Sequence, residues 1–230
     1  MSRTSTGSAE RLGRKQFLLL DGVPVLIHTT RKFLSCPSVS EIIVALRPED
    51  MDSVRHLIEA MHPAKPVRLV EGGDSRQASV LSALEVLAPG TDLVAVHDAV
   101  RPFVEVGLVE SVIAEAARTG AAIVGIVPVD TVKQVHKHTV SATLQRDHLI
   151  LTQTPQVFRT ELLKEAFAQA DKDEFIGTDE SSLVERLEKV EVSVVAGSDR
   201  NIKITKPADL DLARLFLQEE LAAAQHGGGA

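Results

Sequence analysis

The stretch Val94-Ala95-Val96-His97-Asp98-Ala99-Val100-Arg101-Pro102 decides the fold. After Thr91-Asp92 it opens with small apolar residues, the composition of a strand buried on both faces, and it breaks off in His-Asp-Ala, Arg and Pro. In an open parallel α/β sheet, ligands bind in the crevice beyond the carboxyl ends of the strands. An Asp and an Arg at such an end therefore face a site as readily as they form a solvated surface pair.

The flanking sequence repeats one pattern. On the N-terminal side, Asp21-Gly22 marks a turn, and residues 23–34 carry a helical face of Val25, Leu26, Thr29, Phe33 and Leu34. Residues 41–46 read as a buried strand, and Pro48 opens a helix with Glu49, Asp50 and Asp52 in its first turns, as the helix dipole favours. A short strand over 67–70 runs into Glu71-Gly72-Gly73-Asp74-Ser75-Arg76, where two glycines precede an Asp/Ser helix cap and let backbone approach a ligand closely. The helix that follows has Val80, Leu81, Leu84 and Leu87 as its expected inner face. Beyond the central strand, residues 104–118 read as a helix and 121–127 as another buried strand. Alternating strands and helices of this kind specify an α/β fold with a doubly wound, mostly parallel sheet.

At residue 130 the alternation stops. Residues 130–151 have period-two β character with a polar turn around His136-Lys137-His138, and they are too polar for a sheet covered by helices. They read as a hairpin arm projecting from the body, marginal alone and in need of a surface to pack on, most simply its twin in a homodimer. The chain then re-enters the body at 154–158, followed by a helix over 160–170 with Leu162, Leu163 and Phe167 inward. Asp179 caps a helix leading into Leu183 and Leu187, and a strand is expected over 190–195. The last helix carries Leu210, Ala213, Leu217 and Leu221 on one face, and residues 226–230 form a frayed Gly-rich tail.

Composition narrows the partners. The chain has 230 residues, within the range of a single domain, and 44% are hydrophobic although only 3% are aromatic. The core must be built from Val, Leu, Ile and Ala. The 25 Lys and Arg against 32 Asp and Glu give a net charge of −7 with no basic stripe, which argues against nucleic acid and leaves room for small anionic ligands held by focused cations. No run approaches the ~18 apolar residues of a membrane span. The single Cys36 forms no internal disulfide, so a reducing, cytoplasmic setting is expected. His136, His138 and His148 are too scattered for a metal site, and Asp179-Glu180 reads as a helix cap rather than an acid/base dyad.

Blocks spread through the chain carry a resemblance. Lys15-Gln16-Phe17, Gly72-Gly73-Asp74-Ser75-Arg76 with Ser79-Val80, His97 to Pro102, Pro128-Val129-Asp130-Thr131-Val132-Lys133, Gln153-Thr154-Pro155-Gln156, Thr178-Asp179-Glu180 and Asn201-Ile202-Lys203-Ile204-Thr205 occur in one order. In these blocks the sequence closely resembles the 2-C-methyl-D-erythritol 4-phosphate cytidylyltransferases of the non-mevalonate isoprenoid route. That resemblance implies a Rossmann-like nucleotidyltransferase fold and a homodimer joined through residues 130–151. It also implies transfer of CMP from CTP to the polyol phosphate with release of pyrophosphate.

The same resemblance places the residues. Gly7, Ala9, Arg11 and Lys15 correspond to the loop that grips the triphosphate, and Gly73, Asp74 and Ser79 to the cytosine-recognition positions. Asp98 and Ala99 fall at the ribose and metal region. Arg101 and Thr131 lie with the substrate, while Arg146 and Lys203 place its phosphate, Arg146 coming from the partner subunit's arm. Arg11, Lys15, Arg146 and Lys203 form the expected catalytic set. Magnesium is expected to ride on the phosphates of CTP, the co-substrate, with Asp98 near it and no dedicated metal site.

Elementary chemistry agrees with such a set. A phosphate monoester attacking an α-phosphorus is already anionic, so cations rather than a general base are needed to bring two anions together. Arg supplies a bidentate fork and Lys a point charge. Two departures stand out: Met1 to Thr6 is polar where the family has an apolar strand, with Ala9 at its second loop Gly, and Arg14 replaces a Pro. They raise the expectation that the first strand is replaced or cut away. The alternatives are a cytidylyltransferase for another polyol phosphate such as ribitol 5-phosphate, or a non-catalytic nucleotide-binding dimer.

Overall fold

The computed structural model describes residues 15–227. Met1 to Thr6, Gly7, Ala9, Arg11 and Arg14 lie outside the described residues, as does the tail beyond Gly227. In chain order the elements are β1 (Leu19–Leu20), β2 (Val23–Pro24), α1 (Val25–Leu34), β3 (Ile42–Leu46), α2 (Pro48–Glu59), β4 (Val67–Glu71) and α3 (Arg76–Glu85). They continue with β5 (Leu93–Val96), α4 (Val106–Thr119), β6 (Ala121–Ile126), β7 (Lys133–His136), β8 (Thr139–Thr143) and β9 (Leu151–Arg159). The chain closes with α5 (Thr160–Lys172), α6 (Glu180–Glu185), β10 (Ser193–Ala196) and α7 (Pro207–Gly227). The fold is mixed α/β, and it separates into two compact units.

Among the described residues, the first unit takes in 15–89, 97–110 and 200–227. Its β3 and β4 pair in parallel, Ile42 opposite Val67 through Leu46 opposite Glu71. Leu26, Ile27, Val44, Leu46, Val54 and Ile58 form a core between these strands and helices α1 and α2. A second cluster gathers Leu20, Val25, Phe103, Ile204 and Ala213. Asp21 and Gly22, both at positive φ, make the tight turn between β1 and β2, which pair antiparallel. Pro48 stands at the start of α2 with Glu49 and Asp50 in its first turn, so the predicted helix start is the observed one.

The second unit takes in residues 90–96 and 111–199 and holds a four-stranded sheet in the order β10-β6-β9-β5. β10 runs parallel to β6, whereas β9 is antiparallel to both β6 and β5. Its register against β6 passes from Ile123 opposite Gln156 to Val124 opposite Gln153, leaving Thr154 and Pro155 unmatched. Pro lacks an N–H and is tolerated within a strand only at such an irregularity. Ala121, Ala122, Val124, Val157 and Phe158 are fully buried, with Ile123 nearly so, which explains the continuous apolar run read from the sequence.

Three packing expectations need correction. Leu93 to Val96 is half-buried rather than buried on both faces, because among the described strands β5 pairs on one side only, with β9. Leu81 is 41% exposed: Val80, Leu84 and Leu87 make one stripe at spacings of four and three, and Leu81 sits about 100° round from Val80. Leu221 is 49% exposed because α7 runs on past the cluster that Leu210, Ala213 and Leu217 join.

A hairpin lies within residues 130–151. β7 pairs antiparallel with β8, and Lys137 and His138 turn at positive φ as predicted for a polar tip. All four β7 residues are exposed, as are all but one of β8.

Candidate active site

The loop after β5, residues 97–102, converges in the first unit on one carboxylate. Asp98 is 11% exposed in its side chain and meets three cations. Lys203 Nζ lies 3.0 Å from its Oδ2, Arg101 Nε lies 3.3 Å from the same oxygen, and Arg76 Nε lies 3.5 Å from Oδ1. Burial by itself would raise the pKa of Asp98. The hydrogen bond and charge of Lys203, then the charges of Arg76 and Arg101, outweigh it and hold the carboxyl below its ordinary value. Asp98 is therefore ionised at neutral pH, and one negative charge faces three positive ones.

Backbone contacts fix this arrangement. Arg101 donates from Nη1 to the Asn201 carbonyl at 2.7 Å, and Ile204 N–H donates to the Val100 carbonyl at 2.9 Å. Those two bonds strap the 97–102 loop to the segment that carries Lys203. Asn201 is fully buried. His97 places Nε2 3.1 Å from the Arg101 carbonyl and packs its ring on Phe33 with centroids 4.8 Å apart. Thr29 donates to the Ala99 carbonyl at 2.8 Å.

The glycine loop lies in the same unit. Gly72 N–H donates to the Leu46 carbonyl at the end of β3, and Ser75 caps α3 by accepting from Ala78 N–H at 3.0 Å. Ser79 donates to the Ser75 carbonyl at 2.8 Å and lies 3.3 Å from that of Gly73. A Cβ on Gly73 would stand 2.5 Å from the Ala78 Cβ, so the loop closes on the helix only with glycine there. Asp74 is exposed at its tip.

The structure thus brings Asp98, Arg101 and Lys203 together and sets Gly73, Asp74 and Ser79 on one loop and helix start. Lys15 is exposed at the head of a short 3-10 turn. Thr131 and Arg146 belong to the second unit, both exposed at the root of the hairpin, where Arg146 Nη1 donates to the Val129 carbonyl at 2.6 Å. Asp179 caps α6, accepting from Ser182 N–H at 3.1 Å and from the buried Gln156 amide at 2.8 Å, as a cap and not a dyad.

Sequence reasoning quoted Arg76 within a block but gave it no role. Its visible signal was a cation at the first position of a helix, where the dipole disfavours one. Among the described residues no group of three His, Cys, Asp or Glu side chains could hold a metal ion.

A model of the 2-C-methyl-D-erythritol 4-phosphate cytidylyltransferase family matches residues 4–219. The protein of that name from Solibacter usitatus is 58% identical over 227 residues, covering 96% of this chain and 93% of its own length. This chain belongs to that family. The cytidylyltransferase from Acidobacterium capsulatum is 47% identical over 223 residues, 95% of this chain and 93% of its own. Among solved structures, the 4-diphosphocytidyl-2C-methyl-D-erythritol synthase of Anaerococcus prevotii superposes with a TM-score of 0.83 at 32% identity, covering 88% of this chain and 93% of that one. The cytidylyltransferase of Thermus thermophilus superposes at 0.73 with 35% identity, covering 89% and 94%. The cytidylyltransferase family is one of nucleotidyltransferases, and its likeness extends over both compact units.

Proposed function

We propose that this chain transfers CMP from CTP to 2-C-methyl-D-erythritol 4-phosphate and releases pyrophosphate. An oxygen of the polyol phosphate attacks the α-phosphorus of CTP; the new O–P bond forms as the bond from the α-phosphorus to the bridging oxygen breaks, and the pyrophosphate carries away the negative charge. No proton need be removed from the nucleophile, so the residues required are cations aimed at oxygen. Lys203 and Arg146 hold the substrate phosphate, Arg146 being contributed by the partner subunit, with Arg101 and Thr131 beside it. Arg11 and Lys15, with Gly7 and Ala9, hold the triphosphate, and Gly73, Asp74 and Ser79 read the cytosine. Asp98 and Ala99 stand by the ribose. Magnesium would be carried on the phosphates of CTP, with Asp98 near it.

Homodimerisation through residues 130–151 is supported by the exposed apolar side chains of that hairpin, Val135 and Val140 at 57% each and Val129 beside it at 79%. Residues 1–230 act as one cytidylyltransferase domain, a reading that the unbroken family match across both units supports. The location we propose is cytoplasmic, where the single Cys36 stays reduced.

One observation carries this reading: a family member in which Lys203, Arg101 and Arg76 converge on Asp98. Isotope-traced CTP with magnesium tests it, using 2-C-methyl-D-erythritol 4-phosphate and ribitol 5-phosphate in parallel. Label appearing in the methylerythritol product, with stoichiometric pyrophosphate, is expected. Label passing chiefly to ribitol 5-phosphate, or CTP binding without transfer to either alcohol, would overturn it.

A further inference from the structure

Arg76 breaks a local rule. It is the first residue of α3, directly after the Ser75 cap, at the positive end of the helix dipole where an acidic side chain is favoured. Rule-breaking of that kind is expected where function demands it. The residue's charge is not idle, because Nε faces Asp98 Oδ1 at 3.5 Å while Lys203 and Arg101 share Oδ2.

The three cations are not equivalent. The Arg101 side chain is 11% exposed and is tied by its second bond to the Asn201 carbonyl, so it holds the two loops together. Lys203 and Arg76 are 44% and 38% exposed and reach solvent from opposite oxygens of the same carboxylate. Were Lys203 the sole partner of Asp98, the pair would be near neutral and a phosphate would meet little net attraction. With the carboxylate shared three ways, less of its charge is set against Lys203, which is 44% exposed and faces outward.

We infer that Arg76 is a positioning residue for the transfer reaction: by occupying Asp98 Oδ1 it fixes the carboxylate's rotation and leaves Lys203 with charge to spend on a substrate phosphate. This inference rests on the function proposed above, in which Lys203 binds that phosphate.

A mutant cycle tests it on the full-length enzyme, with pyrophosphate release as the readout and CTP, magnesium and 2-C-methyl-D-erythritol 4-phosphate as reactants. R76Q is expected to lower kcat about tenfold, a coupling typical of groups in one ionic network, with the melting temperature unchanged. R76K keeps the charge and should recover most of that loss. In a D98N background the same R76Q change should cost less than about twofold, since its effect passes through Asp98. Equal losses in both backgrounds would show that Arg76 acts on substrate directly or through the fold, and would overturn the inference. So would an R76Q enzyme at the parental rate, or an R76K enzyme as slow as R76Q. If D98N turns over too slowly to read, the Lys against Gln contrast at position 76 decides alone. Absence of transfer by the unmutated enzyme would instead refute the proposed function, so the two failures are distinguishable.

Discussion

The loop around Asp98 and the hairpin of β7 and β8 are both rich in polar residues, yet they are finished to different degrees. In the first, an almost buried carboxylate is surrounded by three cations from three segments of one unit, and backbone bonds lock two of those segments together. In the second, valines at 135 and 140 lie open to solvent and Arg146 has a backbone carbonyl as its bonded partner. A site that must attract anions can be assembled within one chain, because charges find counter-charges across a few residues. An arm only two strands wide cannot bury its own apolar side chains, so its stability has to come from a surface beyond it.

Removing Asp98 should break the first region hardest. Asp98→Ala leaves Arg101, almost buried, facing Lys203 and Arg76 without a counter-charge; stability should fall by about 3 kcal/mol, as when one partner of a buried ion pair is deleted. Urea unfolding checks the stability, and a change within about 0.5 kcal/mol, typical of surface substitutions, would mean the carboxylate holds nothing together. The corresponding change in the arm is gentler on the fold. Val135→Asp with Val140→Asp should leave the melting temperature of the isolated subunit intact while converting the proposed dimer to monomer by light scattering, with turnover down about tenfold if, as proposed, Arg146 acts across that interface. An unchanged molecular mass would show that the arm is not the joint.

The smallest effect concerns Cys36, a control on burial in the first unit. Its thiol is fully buried, and burial followed by the hydrogen bond and charge of Glu110, whose carboxylate lies 2.8 Å away, pushes its pKa up to about 11. Because the folded value is raised, the associated stability is fully present below the unfolded value of about 8.5 and is lost as pH rises through about 11. Iodoacetamide at about pH 8.5 should therefore leave native Cys36 intact while alkylating urea-unfolded chain completely. Equal rates would contradict the burial.

How much of this was legible in the sequence depends on how local its cause is. Pro48 with Glu49 and Asp50, the Ser75 cap, the Asp179 cap and the polar tip of the arm were legible because each is fixed by neighbours within a turn. The antiparallel course of β9 was not, since buried strands have the same composition in either direction, and Pro155 inside it spoke against a strand at all. Leu81 and Leu221 were misplaced because periodicity gives a face but neither its width nor where the covering core ends. In the site, Asp98 and Arg101 stand three residues apart and invited pairing, whereas Arg76 and Lys203 reach Asp98 from distant segments and no spacing rule announces them. Lys203 was singled out by family resemblance, and Arg76 only by the geometry.

In the proposed reaction Lys203, set 3.0 Å from Asp98, holds the substrate phosphate by its charge. Steady-state turnover of Lys203→Gln with CTP, magnesium and 2-C-methyl-D-erythritol 4-phosphate tests it most directly. Loss of one phosphate-facing cation should lower kcat by about 10²–10³ with the circular dichroism spectrum and melting temperature unchanged. A Lys203→Gln enzyme turning over within about twofold of the parent would contradict it.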